Sequence, residues 1–477
     1  MNANANRRKN QVKVSAPTNI FEQEELKRKA DDILKNLKPC TWRDLECNRK
    51  FAKNDKLTFI TEEMLIVGCD IGSETHYIRA VDFRGIEVSK KPFGFANDAE
   101  GFQNALAWML EQAAKSGKTQ IVMGVEPTGH YWFCLASWMV AHGVSVVQVN
   151  PYAVKQTKEL EDNSQLKDDR KDPKLIANLV KDGNYGMPYL PEGVYAQMRG
   201  LSMFRDQLAE DRIREINRLH RDMKIHFPEY KDAFGKIEGT FCLEVLKKAP
   251  FPEDIVALGE EGLKSIWREA KLRGRGYSRA SDIVKYAERS VGLKDGMDAR
   301  REAVKWRAKK IVELDAKLAE VEGELHEKCL EIPHAENIEE ISGIGGNILS
   351  GILAEMGDIS RFDEAKEIQK LSGLGLVACS SGKHKGETRI SYRGRKRLRY
   401  WLFQAAKSAV AHSAEFKELH QYYTTRAENP LKKMQSLIVI ACKILRIIFA
   451  MLRTGERYDP EGMLRDIRRQ TVQATAA

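Results

Sequence analysis

"IVGCDIGSETHYIRAVDFRG", residues 66–85, sets a carboxylate where a strand should be most apolar. An apolar run reaches Asp70, breaks at Gly72 and resumes as a second strand-like run. A buried charge is costly unless it is paired or binds a metal, so Asp70 is either an ion-pair partner or a chemical group. Around it the spacing predicts strands over 64–71, 76–84 and 85–92, the last two joined at Arg84-Gly85. A helix over 98–116, a strand over 120–126, a helix over 130–142, a strand over 144–150 and a further helix follow. This β-β-β-α-β-α-β order points to an α/β layer with a mixed sheet.

Asp70 ends the first of these strands and Glu126 the fourth, where Pro127 keeps Glu126 extended. Strands one and four are expected side by side in such an order, which would bring the two carboxylates together. Downstream, "KDDRKDPKLIANLV" adds Asp168, Asp169 and Asp172. Clustered acids raise one another's pKa, and divalent cations relieve them; oxygen ligands in number suit Mg²⁺ or Mn²⁺. Taken singly, Asp172 before Pro173 reads as an N-cap, Asp70 as a turn acid and Glu126 as the partner of an arginine. Together they point to a metal site. A strand ending Asp-Ile-Gly-Ser-Glu-Thr also opens actin-like ATPases and sugar kinases. Those need a second Asp-Gly-Ser/Thr turn after a strand, whereas Asp182-Gly183 and Asp295-Gly296 follow helix-like sequence.

The 477 residues call for two to four domains. No apolar run of about 18 residues suggests a membrane span, and the polar N-terminus does not read as a secretory signal. Eight cysteines without a CxxC pair fit free thiols in a reducing cytoplasm. Net charge is +10, and Lys383 to Arg457 alone holds 17 Lys and Arg against 5 Glu and no Asp. Nucleic acid is the partner class this favours.

Residues 1–60 read as a charged arm with one amphipathic helix, and 61–195 as the α/β domain. Residues 196–330 read as helical, with an a/d seam at Val304, Ile311, Leu314, Leu318, Val321 and Leu325. That seam fits a hairpin within one chain or a coiled coil between chains. Residues 331–459 read as a mostly helical domain, and 460–477 as a tail. In "EISGIGGNILSGILAEMGDISRF" (340–362), Gly343 and Gly345 lead into a helix, a helix-hairpin-helix pattern whose free N–H groups can hold a phosphate. Beyond it lie the serine pair Ser380-Ser381, then Lys383, Lys385, Arg393, Arg395, Lys396, Arg397 and Arg399, a basic stretch suited to nucleic acid.

"CDIGSETHYIRAVD", "GVEPTGHYW", "VVQVNP" and "DDRKDPKLIANLV", in this order and spacing, resemble the DEDD-type insertion-sequence transposases (the IS-one-ten family). The region from "LSGLGLVACSSGKHKGETRISYRGRKRLRYWLFQAAKSAV" to "KILRIIFAMLRTGERYD" resembles that family's C-terminal half. The resemblance implies an RNase H-like (RuvC-like) domain followed by a coiled-coil region and a mostly α-helical domain. It puts the four metal-binding acids on Asp70, Glu126, Asp169 and Asp172, and a catalytic serine on Ser381, with Ser380 as the alternative. Pro173 stands where the family usually has alanine, and Ser342 where it often has proline. The activity implied is DNA strand exchange in the prokaryotic cytoplasm through a covalent serine–DNA intermediate. The acids and the serine would form a composite site in a homo-oligomer guided by a structured non-coding RNA. A RuvC-like nuclease using water, and a non-catalytic nucleic-acid-binding protein, are the competing functions.

Overall fold

The computed structural model describes residues 20–39, 53–127, 129–161, 172–273, 277–377, 380–381, 384–385 and 388–465. The chain divides into two compact units, residues 1–190 and 191–477.

The first unit contains α1 (Ile20–Asn36), α2 (Lys53–Phe59), β1 (Met64–Asp70), β2 (Thr75–Val81), β3 (Phe93–Ala96) and α3 (Ala99–Ser116). After these come β4 (Gln120–Val125), α4 (Trp132–Ala141), β5 (Ser145–Val149), α5 (Pro151–Glu161), α6 (Asp172–Lys181) and β6 (Tyr185–Gly186). The sheet runs β3-β2-β1-β4-β5-β6. β1, β4 and β5 are mutually parallel, and the remaining pairings are antiparallel. This is the mixed, RNase H-like sheet that the sequence led us to expect.

Period-two alternation along β1 sorts its side chains between two cores. Leu65, Val67 and Cys69 join a cluster with α3 and α4, against which Ile33 of α1 also packs. Met64 and Ile66 join a cluster with Ile176, Ala177, Leu179 and Val180 of α6.

The third strand differs from expectation. It pairs at Phe93–Ala96 rather than over 85–92. Gly85 does turn the chain, with φ of 89°. Beyond it, however, Ala80 O accepts from both Val88 N and Ser89 N, and Ser89 Oγ accepts from Ala80 N. Two residues therefore face one, a bulge that ends regular pairing. Only the bridge between Val81 and Glu87 precedes it. The short strand β6 was not expected.

The second unit begins with α7 (Gly193–His226), α8 (Tyr230–Phe234), α9 (Thr240–Lys248), α10 (Pro252–Glu269), α11 (Ala280–Glu288) and α12 (Met297–Leu330). Next are α13 (Ala335–Ile338), α14 (Gly346–Met356), α15 (Ala365–Leu371) and the short strands β7 (Leu376–Val377), β8 (Ser380–Ser381), β9 (His384–Lys385) and β10 (Arg389–Ile390). The described part closes with α16 (Lys396–His412), α17 (Ala414–Thr425) and α18 (Lys433–Thr454).

α7 and α12 form an antiparallel hairpin within one chain, because partners recede along α12 as residues advance along α7. Arg205 pairs with Glu322 at 2.8 Å, Arg212 with Asp315, and fully buried Asp222 with Arg300 at 2.8 Å. The seam residues Val304, Ile311, Leu314, Val321 and Leu325 are buried, and Leu318 is half-buried. Helices α8 to α11 build a core with the distal end of this hairpin, including Leu219, Met223, Val304 and Ile311.

A second core gathers α14, α16 and α18. α18 is the one helix among the described residues long and apolar enough to cross a membrane. Its apolar length was not expected from the sequence. Its Ile440, Ala441, Ile444, Leu445 and Ile448 are fully buried against the neighbouring helices, which accounts for the composition. The described cysteines, Cys69, Cys134, Cys242, Cys329 and Cys442, are unpaired.

Candidate functional site

Cys69 and Val125 are the last residues paired between β1 and β4. Asp70 and Glu126 each follow by one residue, so the two acids stand at adjacent ends of parallel strands. Alternation puts Asp70 on the face of Gly68, and Glu126 on the face of Gly124, and those two glycines are themselves register partners. A Cβ on Gly68 would lie 1.8 Å from the Pro173 carbonyl oxygen, and one on Gly124 would lie 2.4 Å from Val180 Cγ2. The paired glycines thus make a slot in which α6 lies directly on the strands. Asp172, in the first turn of that helix, is brought to the two strand-end acids. A helix N-terminus favours a carboxylate there.

Glu126 registers the crowding. Its burial, followed by the charges of Asp70 and Asp172, pushes its carboxyl above the usual range, and Lys158 acts in the opposite sense. Lys158 Nζ lies 2.7 Å from Asp172 Oδ1 and 3.0 Å from Oδ2. On the other side of Asp70, Gly72 N donates to Nδ1 of His76 at 3.2 Å. His76 is fully buried, and burial lowers its pKa, which keeps that nitrogen an acceptor. The turn after Asp70 is therefore anchored by a side chain to which no sequence pattern pointed.

Among the described residues, no three His, Cys, Asp or Glu side chains are gathered closely enough to hold one ion. Asp168 and Asp169 lie outside the described residues.

In the second unit, β8 and β9 pair Ser380 with Lys385 and Ser381 with His384. The side chains of Ser380, Ser381 and Lys385, and the whole of Lys383, lie outside what is described. Gly343 has φ of 92°, and a Cβ there would lie 2.7 Å from the Ser408 carbonyl, so the turn before α14 is pressed onto α16. Gly345 caps α14 without a side-chain hydrogen bond.

The five basic residues from Arg393 to Arg399 differ in their surroundings. Arg395 donates to the Glu355 carbonyl, Arg397 pairs with Asp206 at 3.1 Å, and Arg399 donates to the Ser372 carbonyl at 2.9 Å. Arg393 and Lys396 are exposed.

Two family models match this chain. A DEDD transposase model of the IS110 type, described as "Transposase", covers residues 67–228, and "Transposase IS116/IS110/IS902 family" covers 335–421. The chain belongs to the IS110 family of insertion-sequence transposases. The first match contains Asp70, Glu126, Asp169 and Asp172; the second contains Ser381 and the basic stretch through Arg399. Helices α8 to α12 lie between them.

The chain is similar to the "Insertion element IS116 uncharacterized 44.8 kDa protein" of Streptomyces clavuligerus, 24% identical over 83% of this chain and 96% of that protein. It is similar to the "Insertion element IS900 uncharacterized 42 kDa protein" of Mycobacterium paratuberculosis, 23% identical over 62% of this chain and 73% of that protein. It is also similar to the "Pilin gene-inverting protein" of Moraxella bovis, 22% identical over 79% of this chain and 97% of that protein.

Proposed function

We propose that this transposase exchanges DNA strands by a serine-type mechanism in which Asp70, Glu126, Asp169 and Asp172 hold Mg²⁺ or Mn²⁺ and Ser381 is the nucleophile. The observation that carries this reading is that Asp70 and Glu126 end adjacent parallel strands, with Glu126 pushed up by burial and by the charges of Asp70 and Asp172. An all-carboxylate donor set suits a hard divalent cation, and the crowded negative charge is what such an ion would neutralise. When bound, the ion stabilises charge developing on the phosphoryl oxygens.

The chain's own residues do the rest. Ser381 Oγ attacks phosphorus as one backbone P–O bond breaks; the serine proton is lost and the departing sugar oxygen takes one up. A sugar hydroxyl of the exchanged strand then reverses the step, so bond energy is conserved through the Oγ–P link. Lys383, Lys385, Arg393 and Lys396, with the Gly343–Gly345 turn, hold phosphates. Arg395 and Arg399 brace that surface through backbone carbonyls, and Arg397, more than a third exposed, adds to it. A structured non-coding RNA of the element selects the DNA, and the chain works as a homo-oligomer on the prokaryotic nucleoid.

The test uses junction DNA of the encoding element with RNA transcribed from its non-coding flank. Wild type and Ser380→Ala should yield a slow-migrating protein–DNA adduct on a denaturing gel. Ser381→Ala should yield none, with stability changed by no more than about 0.5 kcal/mol. Loss in Ser380→Ala alone moves the nucleophile by one residue. An active double mutant leaves only the water-using nuclease.

A further inference from the structure

Both oxygens of Asp172 are already engaged by Lys158, at 2.7 and 3.0 Å. The pair is partly withdrawn from solvent, with side-chain exposures of 31% for Lys158 and 19% for Asp172. The same ammonium is felt by Glu126, where it opposes the two neighbouring carboxylates. Lys158 therefore sits in the charge field of the acids and offsets part of their negative charge. These acids crowd one another, yet among the described residues no three are drawn to a common point. A carboxylate that holds an ammonium with both oxygens has part of its lone-pair capacity and charge already engaged.

We propose that Lys158 is a resident counter-cation that holds Asp172 in the metal-free protein and must release it before a divalent ion is bound. It is a positioning residue that sets the affinity of the site. This rests on the reading of Asp70, Glu126 and Asp172 as metal ligands.

The chemistry of Lys158 suits the task. Its charge is carried on a flexible four-carbon stem, so it can leave Asp172 without a backbone change. It also occupies the last turn of α5, where the negative end of the helix dipole favours an ammonium. Without it, three like charges would meet at the strand ends and loosen the slot that seats α6. With it, the site is neutralised in part while empty of ions, and a divalent cation must compete for Asp172. A divalent cation beside a fixed ammonium would be repelled, so release and binding are coupled.

The experiment titrates the full-length protein with Mn²⁺ alone, by calorimetry at pH 7 and fixed salt, without nucleic acid. Wild type, Lys158→Met, Lys158→Arg and Asp70→Asn are compared. Lys158→Met should bind Mn²⁺ about fivefold more tightly than wild type, the equivalent of one partly exposed ion pair. Lys158→Arg, which keeps the pair, should bind no more tightly than wild type. In thermal unfolding without metal, Lys158→Met should melt below wild type, and Mn²⁺ should raise its midpoint by more.

Equal or weaker binding by Lys158→Met, in a protein whose Mn²⁺ binding is lost in Asp70→Asn, overturns the role given to Lys158. Absence of Asp70-dependent binding in both wild type and Lys158→Met overturns the metal reading itself, and this inference with it. Should Lys158→Met not give a native circular-dichroism spectrum, Lys158→Gln replaces it in the same comparison.

Discussion

Glu126 carries the conflict on which the site turns. Its folded-state pKa is raised, chiefly by burial and then by Asp70 and Asp172. The folded protein therefore binds this proton more readily than the unfolded chain does. Stability is lost as pH rises from the unfolded value of about 4.5 through the raised one. At neutral pH without metal, the ionised form is a liability. Glu126→Gln, a neutral isostere, should raise the melting temperature of the metal-free protein at pH 7. That gain should vanish near pH 4, where Glu126 is protonated in both states. Strand exchange should nevertheless fall by roughly 10³-fold or more, because groups that act as a unit fail together. Melting curves at the two pH values, with and without Mn²⁺, check the sign.

The element that decides the geometry is α6 in its glycine slot. Gly68 and Gly124 are register partners, and the atoms nearest a Cβ on Gly68 are the Pro173 carbonyl oxygen at 1.8 Å and the Ala177 nitrogen at 2.6 Å. Both belong to helix backbone, which has little room to give. Gly68→Ala should push α6 away from the sheet and cost about 1–3 kcal/mol by overpacking. Asp172 moves with the helix, so Mn²⁺ affinity should fall as well. Chemical denaturation and metal titration of the variant check the two effects. The hairpin of α7 and α12 solves a different problem. It closes its own seam within one chain and buries Asp222 against Arg300 and Arg307.

At the scale of the molecule, the excess positive charge lies in one segment, but only part of it faces outward. Arg395, Arg397 and Arg399 are tied to Glu355, Asp206 and Ser372, whereas Arg393 and Lys396 are exposed. Replacing Arg393 and Lys396 with alanine should weaken binding across DNA sequences. The slope of log affinity against log salt should flatten by roughly 0.9 for each phosphate the variant no longer neutralises. Arg399→Ala should lower stability and leave that slope unchanged. Filter-binding or anisotropy titrations over a salt series separate the two.

Sequence alone determined the order of elements through β5 and the meeting of β1 with β4, and it named the candidate acids, because two-residue alternation and strand ends are written locally. It also held an unread signal: "GCD" at 68–70 and "GVE" at 124–126 repeat a glycine two residues before each acid. Only the tertiary structure decided that those glycines face each other, that α6 fits over them, and that Lys158 reaches Asp172. Those are contacts between segments far apart in the chain, set by which side chains are missing from a face. The bulge that moved the third strand to Phe93–Ala96 was likewise hidden, since it depends on a serine hydroxyl competing for a backbone N–H. Pattern fixes which way a strand points; packing fixes what arrives beside it.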